Sequence, residues 1–201
     1  MVLETWKPST HYIRSMASYF ITHPEVDVDP NQPVEEWGLS SSGLDRARLI
    51  RRNCWDSGVV QIFSSTEKKA IEAAEILAAD VNKPVFQVDA LGENDRSSTG
   101  YLPPQEFEAL ADEFFAHPDK SARGWETATD AQRRIVEAVQ SLTTAPLRHT
   151  AIVAHGAVGT LLYCNLTGQA ISRELDQPGQ GSWFEFDPES WTALHGWRRI
   201  T

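Results

Sequence analysis

The hydrophobic residues of this 201-residue chain fall into two kinds of pattern that alternate along its length. Short runs of aromatic and β-branched residues predict strands at residues 19–21, 59–63, 84–88 and 150–154. Apolar residues at helical spacing predict helices at residues 44–51, 67–79, 105–116, 129–142 and 156–166. Strands that alternate with helices favour an α/β fold in three layers, with a mostly parallel central sheet and helices on both of its faces.

The two ends of the chain are less regular. Residues 183–187 alternate between apolar and polar, which predicts a strand with one exposed face, and residues 194–197 are expected to form an edge strand. We expect residues 16–201 to form a single domain. Residues 1–15 have no clear period, and two interpretations stay open for them: an extension outside the domain, or an additional strand or arm.

Composition narrows the class of partner. The formal net charge of −10 argues against nucleic acid or an anionic membrane surface as a partner. No apolar run is long enough to span a bilayer and no secretory signal opens the chain, so a cytoplasmic protein is expected. Two cysteines, Cys54 and Cys164, do not make a disulfide framework. Cys164 follows an apolar run and is interpreted as a small buried side chain.

Two histidines directly follow two of the predicted strands. Pro24 cannot donate a hydrogen bond to a sheet, so the first strand should end at His23. The strand at 150–154 ends in the same way at His155, with Gly156 after it. Carboxyl ends of parallel strands meet at one edge of an α/β sheet, where ligands bind. The pattern predicts one site built from both imidazoles, although each histidine taken alone could be a turn or core residue.

Lys69 and Glu93 are the charged residues that best fit the same edge. Lys69 lies at the start of the helix that follows a third strand, and a solvated surface lysine and an anion-binding lysine are equally good interpretations of it. Glu93 follows a fourth strand, and it could also be a surface acid. Two imidazoles, a cation and a carboxylate suit phosphoryl transfer. One imidazole attacks phosphorus, the other imidazole and the cation stabilise the oxygens, and the carboxyl group moves protons. This chemistry requires no metal or other cofactor.

Three other kinds of site fit the sequence poorly. The histidines lack the close spacing of a zinc site. Asp27, Asp29 and Asn31 are spaced like the start of a calcium loop, but the glycine and the final glutamate that such a loop requires are missing. Ser42 suggests a serine-hydrolase turn, but the flanking glycines are one residue too far apart and no strand precedes them.

Five short segments together resemble the signature motifs of the histidine phosphatase superfamily, which has the phosphoglycerate-mutase-like fold. They occur in the family's order, and the resemblance extends from residue 16 to about residue 187. The segments are 20–25 in the place of a strand and Arg-His-Gly, 39–47 for Leu-Ser-x-x-Gly-x-x-Arg-Ala, 64–74 for Ser-Ser-x-x-x-Arg-Ala-x-x-Thr-Ala, 91–93 for Leu-x-Glu, and 152–156 for the hydrophobic-His-Gly element.

The resemblance implies a role for each candidate residue. His23 matches the nucleophile that becomes phosphorylated, His155 the second catalytic histidine, and Glu93 the general acid. Lys69 stands where the family has its second phosphate-binding arginine. The implied activity is that of a metal-independent phosphomonoesterase (phosphatase), which acts through a phosphohistidine intermediate on a small phosphorylated molecule. Nothing in the sequence adds support for a mutase, which would retain its phosphorylated intermediate.

The chain departs from the family pattern at the first motif. Thr22 replaces the first arginine and Pro24 replaces the glycine, and Lys69 lacks the bidentate fork of an arginine. Thr22 could still donate a hydroxyl hydrogen bond, and Arg96 could supply the missing charge, so both join Lys69 as candidate phosphate-binding residues. The departures also suggest an alternative, a weak or inactive pseudophosphatase with a binding or regulatory role.

A second alignment of the first motif is open to the sequence. It matches residues 13–16 to Arg-His-Gly, with Ser15 in the place of the nucleophile, and would make the protein inactive. We prefer His23 because residues 19–21 make the better strand and because their distance from Leu39 is closer to that of the family.

Overall fold

The computed structural model describes residues 17–54, 59–143 and 149–201, and in these residues seven strands belong to one sheet. The extension at 1–15 and the alternative motif at 13–16 lie outside the described residues. The strands are β1 Ser18–Thr22, β2 Val59–Ser64, β3 Val85–Gln87, β4 His149–Ala154, β5 Ser182–Asp187, β6 Thr192–Ala193 and β7 Arg198–Arg199. The α-helices are α1 Ser41–Ala47, α2 Ile50–Cys54, α3 Lys68–Val81, α4 Pro104–Ala116, α5 Ala128–Thr143 and α6 Gly156–Leu166.

The sheet is mixed, with a parallel half and an antiparallel half. The strand order is β3-β2-β4-β1-β5-β6, and β7 also pairs with β5. Strands β3, β2, β4 and β1 are parallel, whereas β5 is antiparallel to β1, β6 and β7. Parallel neighbours need a long crossover, which helices provide. Strands β6 and β7 follow β5 after short loops, and both pair with β5 in the antiparallel direction. The predicted α/β fold is confirmed.

Helices cover both faces of this sheet, as the patterns predict. On one face the small side chains of α3 pack against Tyr19 and Ile21 of β1. On the other face α5 and α6 pack against Phe20 of β1 and Phe184 of β5. Successive residues of a strand point to opposite faces, so β1 contributes to both halves of the core. Cys164 is a buried, free thiol within α6, which confirms its interpretation as a core residue.

The C-terminal strands correct two expectations. Residues 194–197 form no strand, because Trp197 turns inward: its indole N–H donates to the carbonyl oxygen of Leu175 at 3.0 Å, and its ring centroid lies 4.7 Å from that of Phe184. The pairing segments flank this turn as β6 and β7. Strand β5 has its expected exposed face only in part: Glu185 and Asp187 are partly exposed, but Trp183, on the same side, is buried.

None of the helices in the described ranges is both long enough and apolar enough to cross a lipid bilayer.

The loop after β1 is held against the start of α1. The carbonyl oxygen of Glu25 accepts hydrogen bonds from the backbone N–H of Ser40, at 2.9 Å, and from its hydroxyl, at 3.2 Å. Ser40 is also the predicted cap of α1, and its hydroxyl oxygen accepts the N–H of Gly43 at 3.1 Å. A Cβ atom at Gly43 would lie 2.0 Å from the Glu25 carbonyl oxygen. Gly43 is therefore required for this close approach, which fixes the loop two residues beyond His23.

We predict that Gly43→Ala destabilises the protein. The added methyl group must push the Glu25 backbone away from α1, and overpacking of this kind costs about 1–3 kcal/mol. The expected readout is a fall in melting temperature of about 2–4 °C per kcal/mol. Gly196→Ala is the control, because a Cβ there would meet only the Tyr163 hydroxyl, at 3.5 Å. Equal melting temperatures for both variants would contradict this account of the loop.

Candidate active site

Three parallel strands end at the same edge of the sheet and bring polar side chains together there. His23 follows β1, Ser65 follows β2 and His155 follows β4. The backbone N–H of His23 donates to Ala154 at 3.0 Å, and that of Ser65 donates to Val153 at 3.1 Å. The two imidazole rings lie edge to face, with centroids 5.2 Å apart. The structure thus places both predicted histidines in one site.

The hydrogen bonding of His23 fixes its tautomer. Its Nδ1 lies 2.8 Å from the carbonyl oxygen of Pro24. A carbonyl oxygen only accepts hydrogen bonds, so Nδ1 carries the proton and Nε2 keeps its lone pair. Burial of the ring, reinforced by the positive charge of Lys69, lowers the pKa of His23 to about 4. His23 is therefore a neutral imidazole with an unprotonated Nε2 at neutral pH.

His155 is completely buried, and its two nitrogens have different surroundings. Its Nε2 lies 2.7 Å from the Ser65 hydroxyl and 3.1 Å from Oε1 of Glu67, while its Nδ1 has no hydrogen-bond partner among the described residues. An ionised carboxylate only accepts hydrogen bonds, so its contact places the proton on Nε2. Burial holds the pKa of His155 well below its usual range, although the negative charge of Glu67 opposes this.

Glu67 connects three components of the site. Its Oε2 accepts from Nζ of Lys69 at 2.5 Å, and its Oε1 accepts the backbone N–H of Glu93 at 2.9 Å as well as facing His155. Burial favours the neutral acid, but contacts with His155 and Lys69 and the hydrogen bond from Glu93 outweigh it and lower the pKa of Glu67 to about 2. Glu67 is therefore a nearly buried anion at the centre of the site.

Lys69 is a buried cation whose ammonium group already has partners. Besides Glu67, its Nζ donates to the carbonyl oxygen of Val34 at 2.8 Å. Lys69 is 3% exposed, which excludes the alternative of a solvated surface lysine. Its positive charge adds to the effect of burial in lowering the pKa values of both His23 and His155.

Glu93 lies against the first turn of α6, the helix that begins immediately after His155. Its Oε2 accepts the N–H of Ala157 and its Oε1 accepts the N–H of Val158, both at 3.1 Å. The positive end of a helix stabilises a carboxylate, but burial outweighs these contacts and raises the pKa of Glu93. Glu93 and Glu67 are thus two neighbouring carboxyl groups whose pKa values are moved in opposite directions.

Arg96 contributes a second cation. Its guanidinium carbon lies 5.1 Å from the centroid of the Phe107 ring and 5.7 Å from that of Trp125, within the range of cation–π attraction. The positive charge of Arg96 contributes to lowering the pKa values of His23 and His155, and it opposes the rise in the pKa of Glu93 that burial causes.

Thr22 differs from the other candidates because the fold already uses its hydroxyl. The oxygen accepts the N–H of Ser182 at 3.0 Å, and the proton is directed to Oε1 of Gln177 at 2.6 Å, with the Ser182 carbonyl oxygen at 3.2 Å. The side chain of Gln177 in turn occupies the space above Gly156, where a Cβ atom would lie 2.4 Å from its Nε2. The Thr22 hydroxyl therefore positions β1, β5 and Gln177.

A cleft of about 1090 Å³ opens in front of this group. Glu67, Glu93 and Arg96 line it, together with residues 30–35, Tyr101 and residues 124–126. The two imidazoles lie deeper: His23 is 8% exposed and His155 is not exposed at all. No group of three or more His, Cys, Asp or Glu side chains that could hold a metal ion occurs in the described part of the chain.

Sequence reasoning missed Glu67 and Ser65 as site residues. Both lie in the segment that suggested Lys69. The Ser65 hydroxyl lies 2.7 Å from Nε2 of His155 and also accepts the backbone N–H of Glu67 at 3.3 Å. The signal available in the sequence was that Glu67 lies shortly after a predicted strand and two residues before Lys69.

Comparison with solved structures supports the fold. Bacillus stearothermophilus YhfR is 23% identical, with a TM-score of 0.75 over 90% of this chain and 94% of that one. Native mycobacterial glucosyl-3-phosphoglycerate phosphatase is 20% identical, with a TM-score of 0.71 over 90% and 95%. An Escherichia coli protein provisionally described as an alpha-ribazole-5'-P phosphatase is 17% identical, with a TM-score of 0.68 over 93% and 96%. No curated protein sequence matches the chain significantly.

The family assignment comes from the sequence itself. The profile of the histidine phosphatase superfamily (branch 1) matches residues 19–197, which includes β1, β4 and both strand-end histidines. This match begins after the alternative motif at residues 13–16, so it agrees with the alignment through His23. A match over most of the chain, with the corresponding fold, shows that the chain belongs to the histidine phosphatase superfamily.

Proposed function

We propose that this protein is a phosphomonoesterase that hydrolyses a small phosphorylated molecule through a phosphohistidine intermediate at His23. The observation that carries the proposal is the state of His23: a neutral imidazole, with its Nδ1 proton held by Pro24 and its Nε2 lone pair free, beside a second imidazole. Membership of the histidine phosphatase superfamily supports the same chemistry.

In the first step, the Nε2 lone pair of His23 forms a bond to phosphorus while the bond from phosphorus to the ester oxygen breaks. The leaving oxygen takes a proton from the Glu93 carboxyl group, whose raised pKa favours the acid form. Glu67 is unsuited to this role because its pKa of about 2 keeps it ionised. Because their environments move the pKa values of the two carboxyl groups apart, Glu93 is suited to act as the acid and Glu67 remains an anion.

In the second step, water attacks phosphorus and the bond to His23 Nε2 breaks. The Glu93 carboxylate takes the proton of the attacking water and returns to its acid form, and phosphate leaves. In both steps Lys69, Arg96 and His155 stabilise the negative charge of the phosphoryl oxygens. Hydrolysis rather than mutase activity is the proposed outcome.

The cleft sets bounds on the substrate. Its volume of about 1090 Å³ exceeds the needs of a phosphate group, so it has room for an organic leaving group. Exposed acidic residues in the first loop, Glu35 among them, favour a monophosphate over a strongly anionic substrate. One similar structure is named as a phosphatase of glucosyl-3-phosphoglycerate, a small phosphorylated molecule. We also propose the cytoplasm as the site of action.

A second candidate function is phosphate binding without turnover. It is favoured by the partners of Lys69, whose ammonium group is engaged by Glu67 and Val34, and by Thr22, whose hydroxyl is engaged by Gln177 and Ser182. A site with little unpaired positive charge would serve a pseudophosphatase with a binding or regulatory role.

Turnover of p-nitrophenyl phosphate and a panel of alkyl phosphates distinguishes the two functions. We expect His23→Ala to abolish hydrolysis, because the proposed intermediate forms on its Nε2. His117→Ala is the matched control, since His117 is exposed beyond the end of α4 and should retain wild-type activity. Full activity in His23→Ala would exclude the proposed mechanism, and an inactive wild-type protein that still binds phosphate would favour the pseudophosphatase.

Glu93→Gln tests the general acid through the leaving group. We expect the variant to lose about 10²–10⁴-fold of its turnover on alkyl phosphates, which need a proton on the departing oxygen. Hydrolysis of p-nitrophenyl phosphate should fall much less, because nitrophenolate departs without protonation. The measurement is kcat/KM for both substrates. Equal losses on the two substrates would indicate that Glu93 only holds the first turn of α6.

The pH profile of kcat/KM should have an acid limb set by His23 and a basic limb set by Glu93. His23 must be neutral to attack, so activity is lost as the pH falls through its pKa of about 4. Glu93 must be protonated, so activity is also lost as the pH rises through its raised pKa. A rate that instead increases as the pH rises through about 6.5, the ordinary pKa of an imidazole, would contradict the assigned state of His23.

A further inference from the structure

Glu67 has contacts that binding of a phosphoryl group does not by itself explain. A carboxylate beside an anion site repels the ligand, and this one is held in place with only 9% of its surface exposed. Its two oxygens face Lys69, His155 and the Glu93 backbone at 2.5–3.1 Å. A buried anion is costly unless it is paired. Lys69 pairs with Oε2, so the function of the contact between Oε1 and His155 is left to explain.

The unpartnered nitrogen of His155 suggests that role. Its Nδ1 is fully buried and has no hydrogen-bond partner among the described residues, while Nε2 carries the proton that faces Glu67. An imidazole with an anion at one nitrogen and a free lone pair at the other is arranged to accept a proton at the free nitrogen. Without a bound anion, the burial of the ring and the charges of Lys69 and Arg96 outweigh the attraction of Glu67, so His155 stays neutral.

We propose that Glu67 is a positioning residue that lets His155 take up a proton at Nδ1 when a phosphoryl dianion enters the site. The imidazolium that forms would donate from Nδ1 to a phosphoryl oxygen and from Nε2 to Glu67. It would supply the positive charge that Thr22 does not provide. The proposal rests on the proposed function in one respect, that the site binds a phosphoryl group.

The charges around His155 determine the direction of this coupling. Glu67 and Lys69 face it from the start of α3, His23 from the end of β1, and Arg96 from the loop after Glu93. Before binding, Lys69 and Arg96 disfavour the imidazolium and Glu67 favours it. A bound dianion offsets the charges of both cations, so the negative charge of Glu67 then favours the protonated form of His155. Binding should consume a proton, and anion affinity should fall as the pH rises.

The experiment measures proton uptake on sulfate binding, by calorimetry in two buffers of different ionisation enthalpy. Sulfate stays a dianion throughout the neutral range, so any proton must go to the protein. We expect uptake of about one proton in the wild type, and an affinity that falls about tenfold per pH unit between about pH 6 and pH 8. In Glu67→Gln the uptake and the pH dependence should both be lost, while Lys69, relieved of its anion, keeps sulfate binding measurable.

Controls assign the proton to a residue. Glu75→Gln removes an exposed carboxylate from the same helix and should leave uptake unchanged. His155→Ala should lose uptake. Uptake that persists in Glu67→Gln or in His155→Ala would overturn the proposal, as would a wild-type protein that binds sulfate without uptake or does not bind it.

A second measurement needs no variant. Nitrogen-15 spectra of the histidine rings in the unliganded wild type should show His155 protonated at Nε2, whereas protonation at Nδ1 would contradict the assigned geometry. Hydrolysis is a separate readout. If the protein takes up a proton but hydrolyses no phosphate ester, the proposed function is wrong and this inference stands. If it hydrolyses phosphate esters without proton uptake on binding, the proposed function stands and this inference is wrong.

Discussion

The parallel pairing of β1 with β4 is the constraint on which the site depends. Thr22 pairs with Ala154, so the residues that follow, His23 and His155, leave the sheet side by side. Successive strand residues point to opposite faces, and a shift of one residue in this register would carry one imidazole to the wrong face. Pro24 ends the pairing of β1 at the required point. The aromatic packing of Phe20 on Phe184, with ring centroids 5.4 Å apart, stabilises this register from the side of β5.

Charge balance is the second organising feature of the site. One ionised carboxylate, Glu67, pairs with Lys69 and faces His155. Burial keeps both imidazoles neutral because a charged ring loses its hydration, and the positive charge of Lys69 adds to this effect. The same burial holds Glu93 towards its acid form. The neutral state of His23, the proposed nucleophile, and the raised pKa of Glu93, the proposed acid, thus have one physical cause, the loss of water around ionisable groups.

Much of the fold follows from the sequence because hydrophobic periodicity reflects burial directly. The strands that end at His23 and His155 and the alanine face of α3 lie where the pattern predicts. The pattern fails at residues 194–197, where a turn and not a strand brings the partly buried Trp197 against the core. Periodicity detects which residues are buried, but it does not distinguish the backbone that buries them.

The site is only partly readable in the sequence. Strand ends identify His23 and His155, and the structure brings Lys69, Glu93 and Arg96 close enough for their charges to act on one another. Glu67 is missed because its partners, Glu93 and His155, are distant in sequence and meet it only through the fold. The role of the Thr22 hydroxyl is set by Ser182 and Gln177 and could not be inferred from its neighbours in the chain.

The most direct test of the central claim is mass spectrometry of the intact protein after reaction with p-nitrophenyl phosphate, quenched without acid so that phosphohistidine survives. The account predicts one added phosphoryl group, which fragment spectra assign to His23 and which is absent from His23→Ala. Hydrolysis with no adduct, or an adduct on another residue, would contradict it.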